Sequence, residues 1–529
     1  MNPATNPSNA ASKIDPDPIP MTKRIAILTM LTALFWGARS TTSQVADPIP
    51  SPIPKRGLRV EVRDVARLPD TRMLRAASED TAPGAWARVS FVRDLSDGRR
   101  FANDSRGRLY LIEKNSQPSL YLDLAAEFPL GFYRSLESGF ICFTFHPDFA
   151  RNGLIYTVHG EKAQGNPGVP QFIPPGFTGS DVTYQTVITE WRAKAPAANA
   201  FSGTHRELIR VAHVVDNYFH PIGALEFNPT ARPGSPDYGL LYIGGTDFGF
   251  SNGGGPRASN PGQTQHLDSI VGALLRIDPR SPSTTRGIKG VGDYTVPPIN
   301  KLAADNDPKT LGEIYAYGFR NPHRFSWDPA DGTLFVSDIG NSQVEEINIV
   351  GEGGNYGWMI REGIFDNGLQ RPGGTMGQVF DLPANILDGS TKDGFSYPVA
   401  MYDHGEGVAI TGGFVYGGRV PALRGKFVFG DINRGRLFAA DVAALKAADD
   451  GVPRSVAPIE EIELVVRQPN GTPAAMTFKQ LVEKTMGGPL ARADLHVHRA
   501  ADGELLISSR QDGWIRTLAA AGAPASAAR

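Results

Sequence analysis

Residues 145–156 read Phe145-His146-Pro147-Asp148-Phe149-Ala150-Arg151-Asn152-Gly153-Leu154-Ile155-Tyr156: an aromatic-x-Pro turn, a glycine, then an apolar strand. The same order returns from Phe227-Asn228-Pro229 to Gly239-Leu240-Leu241-Tyr242 and from Trp327-Asp328-Pro329 to Gly332-Thr333-Leu334-Phe335. Weaker copies are Ser105-Arg106-Gly107-Arg108-Leu109-Tyr110, Leu423-Arg424-Gly425-Lys426-Phe427-Val428-Phe429 and Ala501-Asp502-Gly503-Glu504-Leu505-Leu506-Ile507. A small antiparallel sheet cannot bury both faces alone, so repeated sheets must stack on their neighbours. Six unevenly spaced copies predict an all-β fold, a six-bladed β-propeller with loop insertions. The insertions fall roughly at 160–183, 248–268, 280–311, 360–398 and 465–492, and the last holds one short helical segment, Phe478–Lys484.

Outside the repeats, residues 1–50 form an N-terminal extension and 59–520 the propeller domain. From Met21 the extension has a signal-peptide layout at about 21–40: Lys23-Arg24, an apolar run from Ile25 to Ala38, then small residues. The run is shorter than the roughly 20 apolar residues of a membrane span, and no other segment approaches that length. A Pro-rich tether, DPIPSPIPKRG, follows. The expected location of the mature protein is periplasmic or extracellular.

Charge and cysteine content narrow the function classes. With 53 Lys+Arg against 55 Asp+Glu the formal charge is −2, which lacks the basic excess of a nucleic-acid binder. The one cysteine, Cys142, excludes an intrachain disulfide and any Cys-based metal cluster, and its apolar surroundings predict a buried, inert thiol. No Walker loop is present. His496 and His498 would share one face of a strand, as a metal pair or as a satisfied pair.

Three segments carry the candidate chemistry. His220-Pro221-Ile222-Gly223 precedes a strand; Tyr315-Ala316-Tyr317-Gly318-Phe319 runs into Arg320-Asn321-Pro322; and Ser337-Asp338-Ile339-Gly340-Asn341 leads through Glu345-Glu346 towards Asn355-Tyr356-Gly357-Trp358. A histidine base, an Arg-Asn anion holder and a carbonyl- and carboxylate-bearing loop are parts for oxidising an alcohol. Asp338, Glu345 and Glu346 read equally well as solvated turn residues.

Over most of the chain, from about Arg88 to Leu518, these segments resemble the soluble glucose/sorbosone dehydrogenases. The strongest marks are SGFICFTFHPDFARNGLIYTV, VGALLRIDP, EIYAYGFRNPHRFSWDP, VEEINIVGEGGNYGW and ITGGFVYGGRVPALRGKFVFGDINRGRLF. The resemblance implies a six-bladed propeller using pyrroloquinoline quinone (PQQ) and calcium. It assigns His220 as general base, Arg320 and Asn321 as cofactor contacts, and the backbone carbonyls of Gly340 and Asn341 as calcium ligands. Other positions depart. A cofactor-contacting Gln is Glu137, the acid that often precedes the histidine is Phe219, and a cofactor-binding Lys is Asn433 with Arg434 beside it. A pair of arginines near the last blade has no counterpart in Arg492-Ala493-Asp494-Leu495-His496.

The implied function is an exported quinoprotein dehydrogenase that oxidises a sugar or sugar aldehyde and passes electrons to an external acceptor. The alternative is a non-catalytic propeller binding carbohydrate or protein, as in Hedgehog-interacting-protein-like domains.

Overall fold

The computed structural model describes residues 44–521, apart from 75–83, 164–167, 215–219, 251–262, 285–287, 306 and 372–373. The signal-peptide segment and Phe219 lie outside the described residues. Among the described residues no helix is long and apolar enough to cross a membrane.

Six four-stranded blades follow one another along the chain; the first four are separate antiparallel sheets, and the fifth and sixth are joined into one nine-stranded sheet. Their first strands are Val89–Asp94, Phe140–Phe145, Leu225–Phe227, Arg324–Trp327, Phe414–Val415 and Leu495–Arg499. First strands of neighbouring blades contact one another from the sixth blade through the first and second to the third, and between the fourth and fifth, and so line the centre. Phe140–Phe145 is buried at every position. A blade packed on both sides needs such a continuous apolar run, where a half-solvated sheet would alternate. One apolar cluster joins the first four blades, from Phe101 through Trp191 and Leu275 to Phe325. Others join the fourth to the fifth (Phe335, Phe427), the fifth to the sixth (Val428, Val497) and the sixth back to the first (Ile515, Val89).

The ring is closed by its N-terminal strand. Lys55–Arg67 is the outer strand of the sixth blade, antiparallel to Trp514–Ala520, and also pairs in parallel with Glu460–Arg467 of the fifth. The tether before it is not free of the propeller. Gln44–Val45 pairs with the 360–381 insertion, the Ile49 amide donates to Asp403, and Ile53 packs on the fourth and fifth blades.

The repeat glycines mark the turn between first and second strands: Gly153, Gly239, Gly332, Gly425 and Gly503 have φ of 67°, 78°, 80°, 77° and 81°. At this left-handed φ a Cβ is strained, and at Gly153 it would also stand 2.5 Å from the Ala193 carbonyl oxygen. The first blade departs from the expected register. Its equivalent glycine is Gly98, φ 88°, while Gly107 turns one hairpin later, between the second and third strands. The helical segment expected at 478–484 is an α-helix, Phe478–Met486, with a Thr477–Gln480 capping box.

Cys142 is buried and its thiol is pushed up to about 12 by desolvation. Ellman's reagent should therefore find no reactive thiol in the native protein and one after unfolding; a native equivalent within minutes would contradict this packing.

Candidate active site

The first strands all enter the channel from the same end, and the residues just before them converge there. Arg88, Glu137, His220, Arg320, Asn321 and Arg492 come from the entrances of five blades and line one cavity of about 250 Å³. Gly340, Asn341 and Asn433 join from inter-strand turns. Of the residues expected to act as base, cofactor contact or calcium ligand, Arg434 alone does not line it. Its guanidinium turns to the carbonyls of His404, at 2.8 Å, and Gly405.

His220 is 5 % exposed and has φ of 55°, a conformation that costs a non-glycine residue about 1–2 kcal/mol. Its neighbours hold it there. Its amide donates to Glu137 at 2.9 Å and its carbonyl accepts from the Thr246 hydroxyl. Its Nδ1 lies 2.6 Å from Oδ1 of Asp247, which is fully buried. With Nδ1 donating to that carboxylate, Nε2 is the basic nitrogen. The Asp247 amide in turn donates to the Arg320 carbonyl at 2.6 Å, so base and guanidinium share one backbone frame. Sequence reasoning missed Asp247. Its only signal is an acid closing the strand Leu241–Gly244, 27 residues beyond the histidine.

The Arg320-Asn321 backbone is seated on Asp338, whose two oxygens accept the amides of Arg320 (2.9 Å) and Asn321 (2.6 Å). Burial and the neighbouring Glu346 hold the Asp338 carboxyl well above the usual range. Glu345 accepts from His404 and the Ile410 amide, both at 2.9 Å; Glu346 accepts from the Gly363 amide at 2.6 Å. The reading of these acids as solvated turn residues is thus corrected: all three are buried acceptors for backbone or histidine donors. Glu362 adds a further anchor, one oxygen accepting the amides of Asn341, Ser342, Gln343 and Val344 at 2.8–3.2 Å.

Of the two carbonyls expected to hold calcium, that of Gly340 is already engaged. The Gly340 carbonyl accepts from Arg320 Nη1 at 2.5 Å, and the same nitrogen is 3.0 Å from the Ile339 carbonyl. A guanidinium on the oxygen is the wrong charge beside a divalent cation. Among the described residues no group of three or more His, Cys, Asp or Glu is placed to hold a metal ion.

An anion fits far better. Arg88, Arg320, Arg492 and Arg510 all line the cavity. Arg88 is fixed by the carbonyls of Ser135 and Leu136, Arg492 pairs with Asp494, and Arg510 reaches the Ser90 hydroxyl at 2.7 Å. Burial and Arg88 pull Arg510 down to about 10, and its Nε, like Oδ1 of Asn433, is buried without a hydrogen-bond partner. The sequence lacks the expected pair of arginines near the last blade, but the cavity wall carries two arginines there of its own. Arg492 is present, and Arg510 arrives from the turn after Leu505–Ser509, where alignment with a local motif does not look.

With this geometry in view, comparisons with known proteins place the chain. The model of the glucose/sorbosone dehydrogenase family matches residues 89–472. HIPL1 protein of Arabidopsis thaliana is 26% identical over 326 residues, 56% of this chain and 43% of that protein. Quinoprotein glucose dehydrogenase B of Acinetobacter calcoaceticus is 25% identical over 243 residues, 42% of this chain and 40% of that protein. The matches thus span less than half the length of these curated relatives. The apo soluble aldose sugar dehydrogenase of Escherichia coli superposes with a TM-score of 0.54 at 16% identity, covering 87% of this chain and 99% of that one. The PQQ-bound aldose sugar dehydrogenase of Streptomyces coelicolor gives 0.50 at 18%, covering 88% and 99%. Both structures share the all-β propeller fold, and the family match extends from the first blade's inner strand through the fifth blade: the chain belongs to the glucose/sorbosone dehydrogenase family.

Proposed function

We propose that this protein is a quinoprotein dehydrogenase that oxidises a sugar or sugar aldehyde, with His220 as general base. The observation that carries this reading is one cavity holding both a carboxylate-backed histidine and four guanidinium groups. PQQ, when bound, supplies a hydride acceptor, and its carboxylates match Arg88, Arg320, Arg492 and Arg510. Asn321 and Asn433 add neutral contacts beside them. The chain's own work is positioning and proton transfer. Nε2 of His220 takes the hydroxyl proton, and Asp247 holds the ring and stabilises the imidazolium that results. Ile141, Val408 and Ile432 line the cavity with apolar surface that excludes water. Electrons leave to an external acceptor, and export beyond the cytoplasmic membrane follows from the signal-like segment.

The test is reconstitution of the purified protein with PQQ in calcium-containing buffer, followed by PQQ titration and aldose-dependent reduction of an artificial dye. Saturable PQQ binding with sugar-dependent reduction is expected. Absence of PQQ binding would overturn the reading in favour of a carbohydrate- or protein-binding propeller. Arg510→Gln and Arg492→Gln should each weaken PQQ binding at least tenfold, since each removes a charge-assisted contact.

A further inference from the structure

The central channel has a second cavity at its other end, of about 230 Å³, where the first strands leave the ring. It is lined by Arg324, the first residue of the fourth blade, and Arg499, the last of the sixth blade's inner strand. Arg324 is 3 % exposed. One terminal nitrogen donates to the Ser90 carbonyl at 2.7 Å and stands 3.2 Å from Nδ1 of His496, while the guanidinium carbon lies 3.3 Å from the centre of the Phe91 ring. Its Nε is buried without a hydrogen-bond partner, and so is that of Arg499.

Neither arginine has a carboxylate within ion-pair distance among the described residues. The two acids in the lining are already committed. Glu226 is bidentate with Arg93, at 2.6 and 2.7 Å, and Asp94 with Arg100, at 2.6 and 2.8 Å. Asp328, the carboxylate acting on Arg499, is held by Lys446. Burying a cation without a counter-charge is costly, and burial together with Arg510 and Arg93 lowers the affinity of Arg324 for its proton. Around these two forks the walls are aromatic, among them Phe227, Trp327 and Phe414.

We infer that this second cavity binds a small organic carboxylate with an aromatic or apolar body. A planar carboxylate matches the guanidinium fork better than a tetrahedral anion does, and the rings would cover the body behind it. The volume is below the roughly 300–1,000 Å³ of sites for drug-sized ligands, which fits a single-ring acid. The site is separate from the candidate active site, so it stands or falls independently of the proposed dehydrogenase activity.

Isothermal titration of the full chain with benzoate, without added PQQ, tests the inference. Saturable binding is expected, with benzamide at least tenfold weaker because it lacks the charge. Arg324→Gln and Arg499→Gln should each weaken benzoate binding at least tenfold. Arg499 is partly exposed, so its substitution leaves the core intact should Arg324→Gln fail to fold. No saturable binding, equal affinity for benzamide, or unchanged affinity in Arg499→Gln would overturn the assignment. So would full displacement of benzoate by equimolar chloride, which would mark a site for inorganic ions only. Loss of binding in Arg492→Gln with retention in Arg499→Gln would place benzoate in the first cavity and overturn it as well.

Discussion

Replacing His220 by Asn should lower sugar turnover at least about 100-fold in the PQQ-loaded protein while leaving PQQ affinity within a few-fold of wild type. Asparagine is the informative choice. His220 sits at φ 55°, which Asn tolerates and Ala does not, so the variant removes the base without straining the backbone that Glu137 and Thr246 hold. The effect should lie in kcat rather than in cofactor binding, because the arginines that match PQQ are elsewhere on the cavity wall. Asp247→Asn should give a smaller loss of the same kind. It keeps a group of the same size at 2.6 Å from Nδ1 but no longer fixes the tautomer or stabilises the imidazolium. His220→Asn with wild-type turnover would discard the proposed base even if PQQ binds. A parallel fall in PQQ affinity would mean that the substitution had disturbed the cavity itself.

The propeller was legible because its signal is local. A glycine that must adopt positive φ between the first two strands recurs once per blade, and an apolar run follows it. The slip in the first blade has a local cause too, since Gly98 and Gly107 both turn antiparallel hairpins there and only pairing partners distinguish them. At the candidate site the residues nearest a blade entrance could be named from their wording, His220 and Arg320 among them. The support behind them could not. Asp247, Asp338 and Glu362 act through backbone amides brought close by folding, and no spacing in the chain encodes that. Carboxylates are usually solvated, so the prior for Asp338, Glu345 and Glu346 pointed outward; burial under the Gly340 loop, with amide donors supplied, reverses it. Arg510 was hidden for a related reason, because its place on the cavity follows from the second strand of the sixth blade rather than from any motif.

Histidines away from the candidate base should make the fold sensitive to acid, and His213 gives the cleanest measurement. It is fully buried, stacked on Tyr184 with ring centres 4.1 Å apart, and bonded to the Thr186 hydroxyl at 2.6 Å. Desolvation pulls it down to about 3. The folded state therefore binds its proton less readily than the unfolded chain, whose histidine titrates near 6.5. Its contribution to stability is complete above about pH 6.5 and is lost as pH falls towards 3, at about 1.4 kcal/mol per pH unit. His323, His496 and His498 are shifted the same way by burial, with Arg324 adding repulsion. Glu346, raised to about 7 by burial, has the opposite sign: its contribution is complete below about pH 4.5 and is lost as pH rises through 7. The overall pH curve therefore mixes the two, and only a difference isolates one group. Urea unfolding of wild type and His213→Gln should show the variant less stable at pH 8, since Gln keeps a partner for Thr186 but loses the ring stack. By pH 5 the wild-type advantage should have shrunk by roughly 2 kcal/mol, as the carboxylates titrate alike in both proteins. A difference that stays constant from pH 8 to pH 5 would mean that His213 takes up its proton without opening the second blade, and would refute the buried neutral imidazole.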